Sequence, residues 1–203
     1  MRLLRLIGFV STLLVIAGAV LAWSELRRGF SARVEPSSLE VFLAETARKL
    51  ALPQAYRDQR NPLPGSPENI QAGMEHFADH CATCHANDGS GQTLFGRGLN
   101  PKPPDMRQPE TQNKSDGELY YITENGIRLT GMPAFGERPG TSDPQTWQLV
   151  HFIRHLPKLT DRELMTMSTL NPKTEQERQE EKEEQEFLQG GNPQTEGGNT
   201  HEH

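Results

Sequence analysis

The chain has 203 residues, a formal net charge of −6, 33% hydrophobic residues, two tryptophans, three tyrosines and two cysteines. That length gives one sizeable domain plus extensions. Two cysteines exclude a disulfide framework, and the absence of a basic patch excludes a nucleic-acid partner. Charge is unevenly spread, with nine basic against five acidic residues in 1–65, nine against thirteen in 66–170 and three against nine in 171–203.

Met1–Arg5 carries two arginines, and Leu6–Trp23 follows with 18 uncharged residues. At ~1.5 Å per residue that is ~27 Å of helix, close to the ~30 Å of a bilayer's hydrocarbon core. Trp23 then falls at the interface, with Arg27 and Arg28 beyond it. A cleaved signal peptide fits the same start, with Val20-Leu21-Ala22 as an acceptable cleavage site. The long apolar run favours a retained anchor over residues 1–23. Either reading sends the rest of the chain across a membrane.

Residues 24–65 read as a stalk. Ser37-Ser38-Leu39-Glu40 has the pattern of a capping box, and Leu39, Phe42, Leu43, Ala47 and Leu50 follow at helical spacing until Pro53. Two roles suit that helix: packing on the main domain, or lying on the membrane with Arg48 and Lys49 near the headgroups. Asn61-Pro62-Leu63-Pro64-Gly65 marks a boundary.

Residues 66–170 read as an all-α domain. Ser66-Pro67 opens a helix with proline in its first turn, and Ile70, Gly73, Met74 and Phe77 fall on one face. Ser115-Asp116-Gly117-Glu118 opens a second, stopped at Gly126. Ser142-Asp143-Pro144-Gln145 opens a third whose wide apolar stripe (Trp147, Leu149, Val150, Phe152, Ile153, Leu156) predicts deep packing. Thr160–Glu163 caps a short fourth helix. His85 to Ser115 shows no helical or strand period, and a 30-residue loop of that kind is unusual unless it wraps something. Residues 171–203 are rich in Glu, Gln, Gly and Asn. They predict a disordered acidic tail with helix around Glu175–Leu188.

Both cysteines lie in "HCATCHANDGSGQ" (His80–Gln92), as Cys81 and Cys84, with His85 following at once. Three chemistries use C-x-x-C-H. A thioredoxin-like redox pair needs a βαβ setting, which the pattern lacks. A zinc site needs further ligands; His151 and His155 are in principle available, but packing histidines are the simpler reading. The third chemistry is c-type haem attachment, in which the two thiols add across the haem vinyl groups and the histidine lies under the iron. A large apolar cofactor would also help to fill a thin core.

"GIRLTGMPAFG" (Gly126–Gly136) places Met132 between glycine and proline in a stiff loop. With the C-x-x-C-H turn, the flanking helices and the proline-containing "NPKPPDM", residues 66–157 resemble a class I c-type cytochrome. The resemblance implies a cytochrome c fold around one covalent haem c bound by Cys81 and Cys84, with His85 and Met132 as axial iron ligands. It implies a carbonyl of the proline loop, at Pro103 or Pro104, as acceptor for the second N–H of His85. It also implies a close crossing of the first and last helices, Gly73 meeting Trp147 with Phe77 beside them.

The expected protein is a membrane-tethered electron carrier at the inner membrane, with its haem domain in the periplasm and redox proteins as donor and acceptor. The alternatives are a haem-bearing subunit of a larger membrane oxidoreductase complex, a haem enzyme or gas sensor in which Met132 dissociates, and a tail that scavenges metal through His201 and His203.

Overall fold

A computed structural model describes residues 2–29, 31–136 and 142–188, and its regular elements are helical throughout, with no strand among the described residues. The tail histidines His201 and His203 lie outside them.

Helix α1 runs Arg2–Arg28, and within it Arg2–Ser24 is long and apolar enough to cross a membrane. α2 is Ser38–Ala51, capped by the Ser37 hydroxyl, which accepts from the Glu40 N–H. No residue of α2 is buried. Its apolar stripe Leu39–Phe42–Leu43–Leu50 is exposed rather than packed on the domain, while Glu45, Thr46 and Arg48 are half-buried. The one-turn helix α3, Gln54–Arg57, does pack. Tyr56 lies against Tyr120 and Tyr121, and a Cβ on Gly117 would sit 2.0 Å from the Tyr56 carbonyl oxygen. The following strand of chain stays attached: Gly117 N–H donates to Gln59 O, and Asn61 Nδ2 donates to Trp147 O at 2.8 Å.

The domain is organised by α4, Pro67–His76, crossing α9, Pro144–His155. Both start as the sequence dictates, at Ser66 and Asp143 caps with proline in the first turn. The crossing is close because Gly73 has no side chain: a Cβ there would lie 2.1 Å from Gln148 O and 3.0 Å from Phe152 Cβ. The glycine thus meets the α9 backbone one residue past Trp147. The Trp147 ring stacks on Tyr120 at 4.1 Å.

The predicted stripe of α9 is buried in full, Leu156 included, and with Met74, Phe77, Leu119, Tyr120 and Met167 forms the core. At roughly 1.5–3 kcal/mol for each fully buried large apolar side chain, this cluster is the main stabilising element of the domain. α8, Asp116–Asn125, lies on α9, and α10, Asp161–Leu170, closes the far side with Met167 fully buried. Of the S/T-x-x-E caps, Thr160–Glu163 and Thr174–Glu177 make both reciprocal bonds, whereas Ser37 and Ser115 make one. The stretch without periodicity contains two single-turn helices, α6 at Leu94–Arg97 and α7 at Pro109–Gln112. Four-residue turns are too short to show a hydrophobic period. In the tail, α11 spans Glu175–Leu188, with Phe187 and Leu188 exposed.

Candidate functional site

The C-x-x-C-H segment sits where α4 changes pitch. From Phe77 to Cys81 the chain widens to a π turn, and the Ala82 N–H donates to Phe77 O, five residues back. The α-helical turn α5, Ala82–His85, follows and is stopped at Ala86, which takes φ +60°. Single π turns inside helices recur at functional sites because they re-aim the side chains that follow. Here the widened turn ends on Cys81, which is buried, while Cys84 on the next turn is half-buried; both are free thiols. Burial pushes the Cys81 thiol up to about 12, and the neighbouring Cys84 adds to the shift.

His85 is buried against Phe77, ring centres 6.5 Å apart. Burial lowers its pKa to about 4, so the imidazole is neutral at physiological pH. Its Nδ1 is inaccessible and has no hydrogen-bond partner. The loop beyond it is tightly held: Gly91 N–H donates to His85 O at 2.8 Å, and a Cβ on Gly91, which has φ +73°, would lie 2.6 Å from Pro103 O. Pro103 is therefore the proline whose carbonyl stands beside the His85 turn, whereas Pro104 is exposed.

Met132 is half-buried in a loop braced at both ends. Ile127 N–H donates to Met132 O, and the Met132 N–H donates to Thr130 Oγ1. Phe135 and Gly136 N–H groups donate to the carbonyls of Thr123 and Glu124 at the end of α8. Gly126, at φ +65°, lets the loop fold back on itself, because a Cβ there would meet the Pro133 carbonyl carbon at 2.6 Å.

Two contacts bring this loop to the cysteine turn. A Cβ on Gly96 of α6 would lie 2.6 Å from Cys84 O, and Thr93 Oγ1 donates to that same carbonyl; three residues past Gly96, Leu99 presses on Gly131, next to Met132. On the other flank, the His80 ring meets the Phe135 ring edge-on at 6.3 Å. Leu94, Phe95 and Leu129 are exposed apolar side chains on α6 and the methionine loop.

These residues fit the haem that the sequence pattern implies. One turn offers two free thiols, a neutral imidazole with a buried and unpartnered Nδ1 stands beside them, and a soft thioether lies on a loop held against the same segment. The zinc alternative fits poorly. His151 Nε2 is 3.0 Å from Leu63 O, and His155 Nε2 is 2.8 Å from a Glu163 carboxylate oxygen. Among the described residues no group of three or more His, Cys, Asp or Glu side chains is placed to hold a metal ion.

One bracing group escaped the sequence analysis. Arg107 binds Asp105 through Nε and Nη2 at 2.8 and 2.9 Å and Asp88 through Nη1 at 2.9 Å. It staples the loop after His85 to the proline loop. Hydrogen bonds from this guanidinium hold the Asp105 carboxyl well below the usual carboxylate range. "DMR" and "NDG" give no periodic or motif signal, so only proximity in space reveals the clamp.

Residues 68–153 match the family model described as cytochrome C oxidase, cbb3-type, subunit III. The cbb3-type cytochrome c oxidase subunit FixP of Rhizobium meliloti (strain 1021) is 32% identical over 103 residues, which is 50% of this chain and 32% of that protein. The chain thus spans about a third of the length of that curated relative. A chain of the Kuenenia stuttgartiensis reducing HAO-like protein complex Kustc0457/Kustc0458 superposes with a TM-score of 0.42 at 25% identity, covering 47% of this chain and 46% of that one. That likeness is too loose to argue from.

Proposed function

We propose that residues 68–153, which match the cbb3-type subunit III family model, form a c-type cytochrome domain with covalent haem c, and that the chain is a membrane-tethered monohaem electron carrier. Its domains are an anchor over 1–23, a stalk over 24–65, the haem domain over 66–170 and an acidic tail over 171–203. The observation that carries this reading is the Cys81–His85 turn with its buried, partnerless imidazole, closed on one side by the Met132 loop.

Cys81 and Cys84 hold the group by thioether bonds. His85 offers a neutral nitrogen, since burial keeps it unprotonated, and Met132 offers a neutral sulfur. Pro103 O, which stands beside the His85 turn but makes no bond to the imidazole here, is the carbonyl that would orient His85 through its second N–H once the haem is bound. When bound, the haem iron supplies one-electron exchange between ferrous and ferric states. Two protein ligands leave no open position for a small molecule, which disfavours enzymatic or gas-sensing chemistry, and a methionine sulfur raises the potential. The net negative charge of residues 66–170 suits redox partners with basic docking faces and makes their association salt-sensitive.

Haem c is attached beyond the cytoplasmic membrane, which with α1 as anchor supports a periplasmic position for the domain at the inner membrane. The deciding experiment is the haem spectrum of the denatured protein in alkaline pyridine after acid–acetone extraction. A spectrum typical of two thioether links supports the assignment, and complete extraction of the haem would overturn it.

A second reading, a haem-bearing subunit of a larger membrane oxidoreductase, is favoured by one finding. Both the matching family model and the relative are described as oxidase subunits. Gentle solubilisation of membranes followed by native electrophoresis with haem staining separates the two readings by size.

A further inference from the structure

α2 is a 14-residue helix with an apolar stripe and nothing covering it. Leu39, Phe42, Leu43 and Leu50 share one face and are 53%, 64%, 57% and 76% exposed. Glu45, Arg48 and Val41 project from the opposite side, while Glu40 lies at one edge of the stripe beside Leu43 and Lys49 at the other beside Phe42. A helix of this length is marginal in water without a packing partner, so its apolar face calls for a surface.

The surface within reach is the bilayer. Only 13 residues separate Ser24, the end of the apolar stretch of α1, from Ser38. The apolar side of α2 is also continuous with that of α1: a cleft of about 480 Å³ between them is lined by Leu26, Val34, Leu39 and Leu43. Arg27 in the last turn of α1 and Arg33 on the connection, with Lys49 at the stripe's edge, supply positive charge at the depth of lipid phosphates.

We propose that α2 lies in the headgroup region of the leaflet from which α1 emerges, its Leu39–Phe42–Leu43–Leu50 face toward the acyl chains. Such helices bind by burying their apolar face a few ångströms below the headgroups.

Docked in this way, α2 orients the haem domain as well as tethering it. The Arg57 guanidinium donates to Lys49 O and Leu52 O at the end of α2, and α3 carries Tyr56 onto α8. The connection before α2 is tied to the proline loop by the Glu35–Lys102 ion pair. The domain is held in one attitude over the membrane rather than swinging on a flexible stalk.

The inference goes beyond the electron-carrier reading but rests on α1 as anchor, so the test reports on the two separately. Full-length holoprotein carrying Trp23→Phe is reconstituted in phosphatidylglycerol–phosphatidylcholine vesicles with one added reporter: Phe9→Trp in α1, Leu43→Trp on the stripe, or Glu45→Trp opposite it. Trp147, buried in the domain, is common to all three. Quenching by brominated acyl chains is expected for Phe9→Trp and Leu43→Trp, with at least a several-fold smaller effect on Glu45→Trp. Quenching at Phe9→Trp with equal, weak quenching at positions 43 and 45 overturns the docking of α2 and leaves the anchor standing. No quenching at Phe9→Trp overturns both. If the Leu43→Trp signal is shielded only at high protein density, a second copy of the chain covers the stripe, and the inference is wrong.

Discussion

Gly73 and Gln148 are in backbone contact: a Cβ added at Gly73 would stand 2.1 Å from the Gln148 carbonyl oxygen. This is the point at which α4 and α9 touch, and the position of the C-x-x-C-H turn relative to the rest of the core depends on it. Gly73→Ala gains about 1 kcal/mol of helix propensity. It must also push two helices apart, and backbone cannot swing aside as a side chain does. Overpacking of this kind costs about 3 kcal/mol or more, so the clash wins. The thermal midpoint of the holoprotein should fall by roughly 10 °C or more; an unchanged midpoint would show that the crossing is not tight.

Cys81→Ala and Cys84→Ala each remove one proposed thioether from a domain with a small aromatic complement. Little mature holoprotein should accumulate from either, measured by haem stain against antibody signal. Normal covalent haem in the double variant would exclude these cysteines as the attachment points.

Met132→His should keep the iron six-coordinate, abolish the weak far-red sulfur-to-iron charge-transfer band of the oxidised protein and lower its potential. Met132→Ala should admit carbon monoxide to the reduced protein. The loop should survive both changes, because its backbone is held by Thr130, Gly126 and the α8 carbonyls rather than by the methionine side chain. An unchanged spectrum and potential in Met132→Ala would mean that another group is the ligand.

Arg107→Leu should destabilise by about 1 kcal/mol at neutral pH, the scale of a partly exposed charge cluster with bidentate geometry. The dependence on pH has a definite sign. The folded-state pKa of Asp105 is depressed by Arg107, so its contribution is fully present above the unfolded carboxylate value of about 4 and is lost as pH falls below it. The gap in thermal midpoint between wild type and Arg107→Leu should therefore narrow from pH 7 to pH 3. A constant gap would show that the clamp acts through packing alone.

Ending the chain after Asn171 should leave the visible spectrum unchanged and the thermal midpoint within a few degrees. α11 exposes its apolar residues Phe187 and Leu188 rather than packing them on the core, and surface changes of this kind are usually worth less than about 0.5 kcal/mol. A larger loss would place the tail on the domain.

The all-helical architecture was legible in the sequence because its signals are local. Caps at Ser66, Ser115, Asp143 and Thr160 are short-range chemistry, and the α9 stripe is a period that one helix carries by itself. The C-x-x-C-H and G-M-P motifs named a cofactor class because the spacing of their donors is a property of single turns.

What needed the tertiary structure was every relation between distant segments. The resemblance implied that Gly73 meets the last helix, but only the folded chain shows it meeting the Gln148 backbone. The Arg107 clamp joins residues 88, 105 and 107 through loops that have no period. The attachment of Tyr56 and Asn61 to α8 and α9 crosses a proline-rich stretch that reads as a boundary. For α2, the amphipathic pattern is the same whether its partner is a protein core or a membrane. Periodicity records that a face must be covered, and only the three-dimensional arrangement, in which no residue of α2 is buried by the domain, decides what is left to cover it.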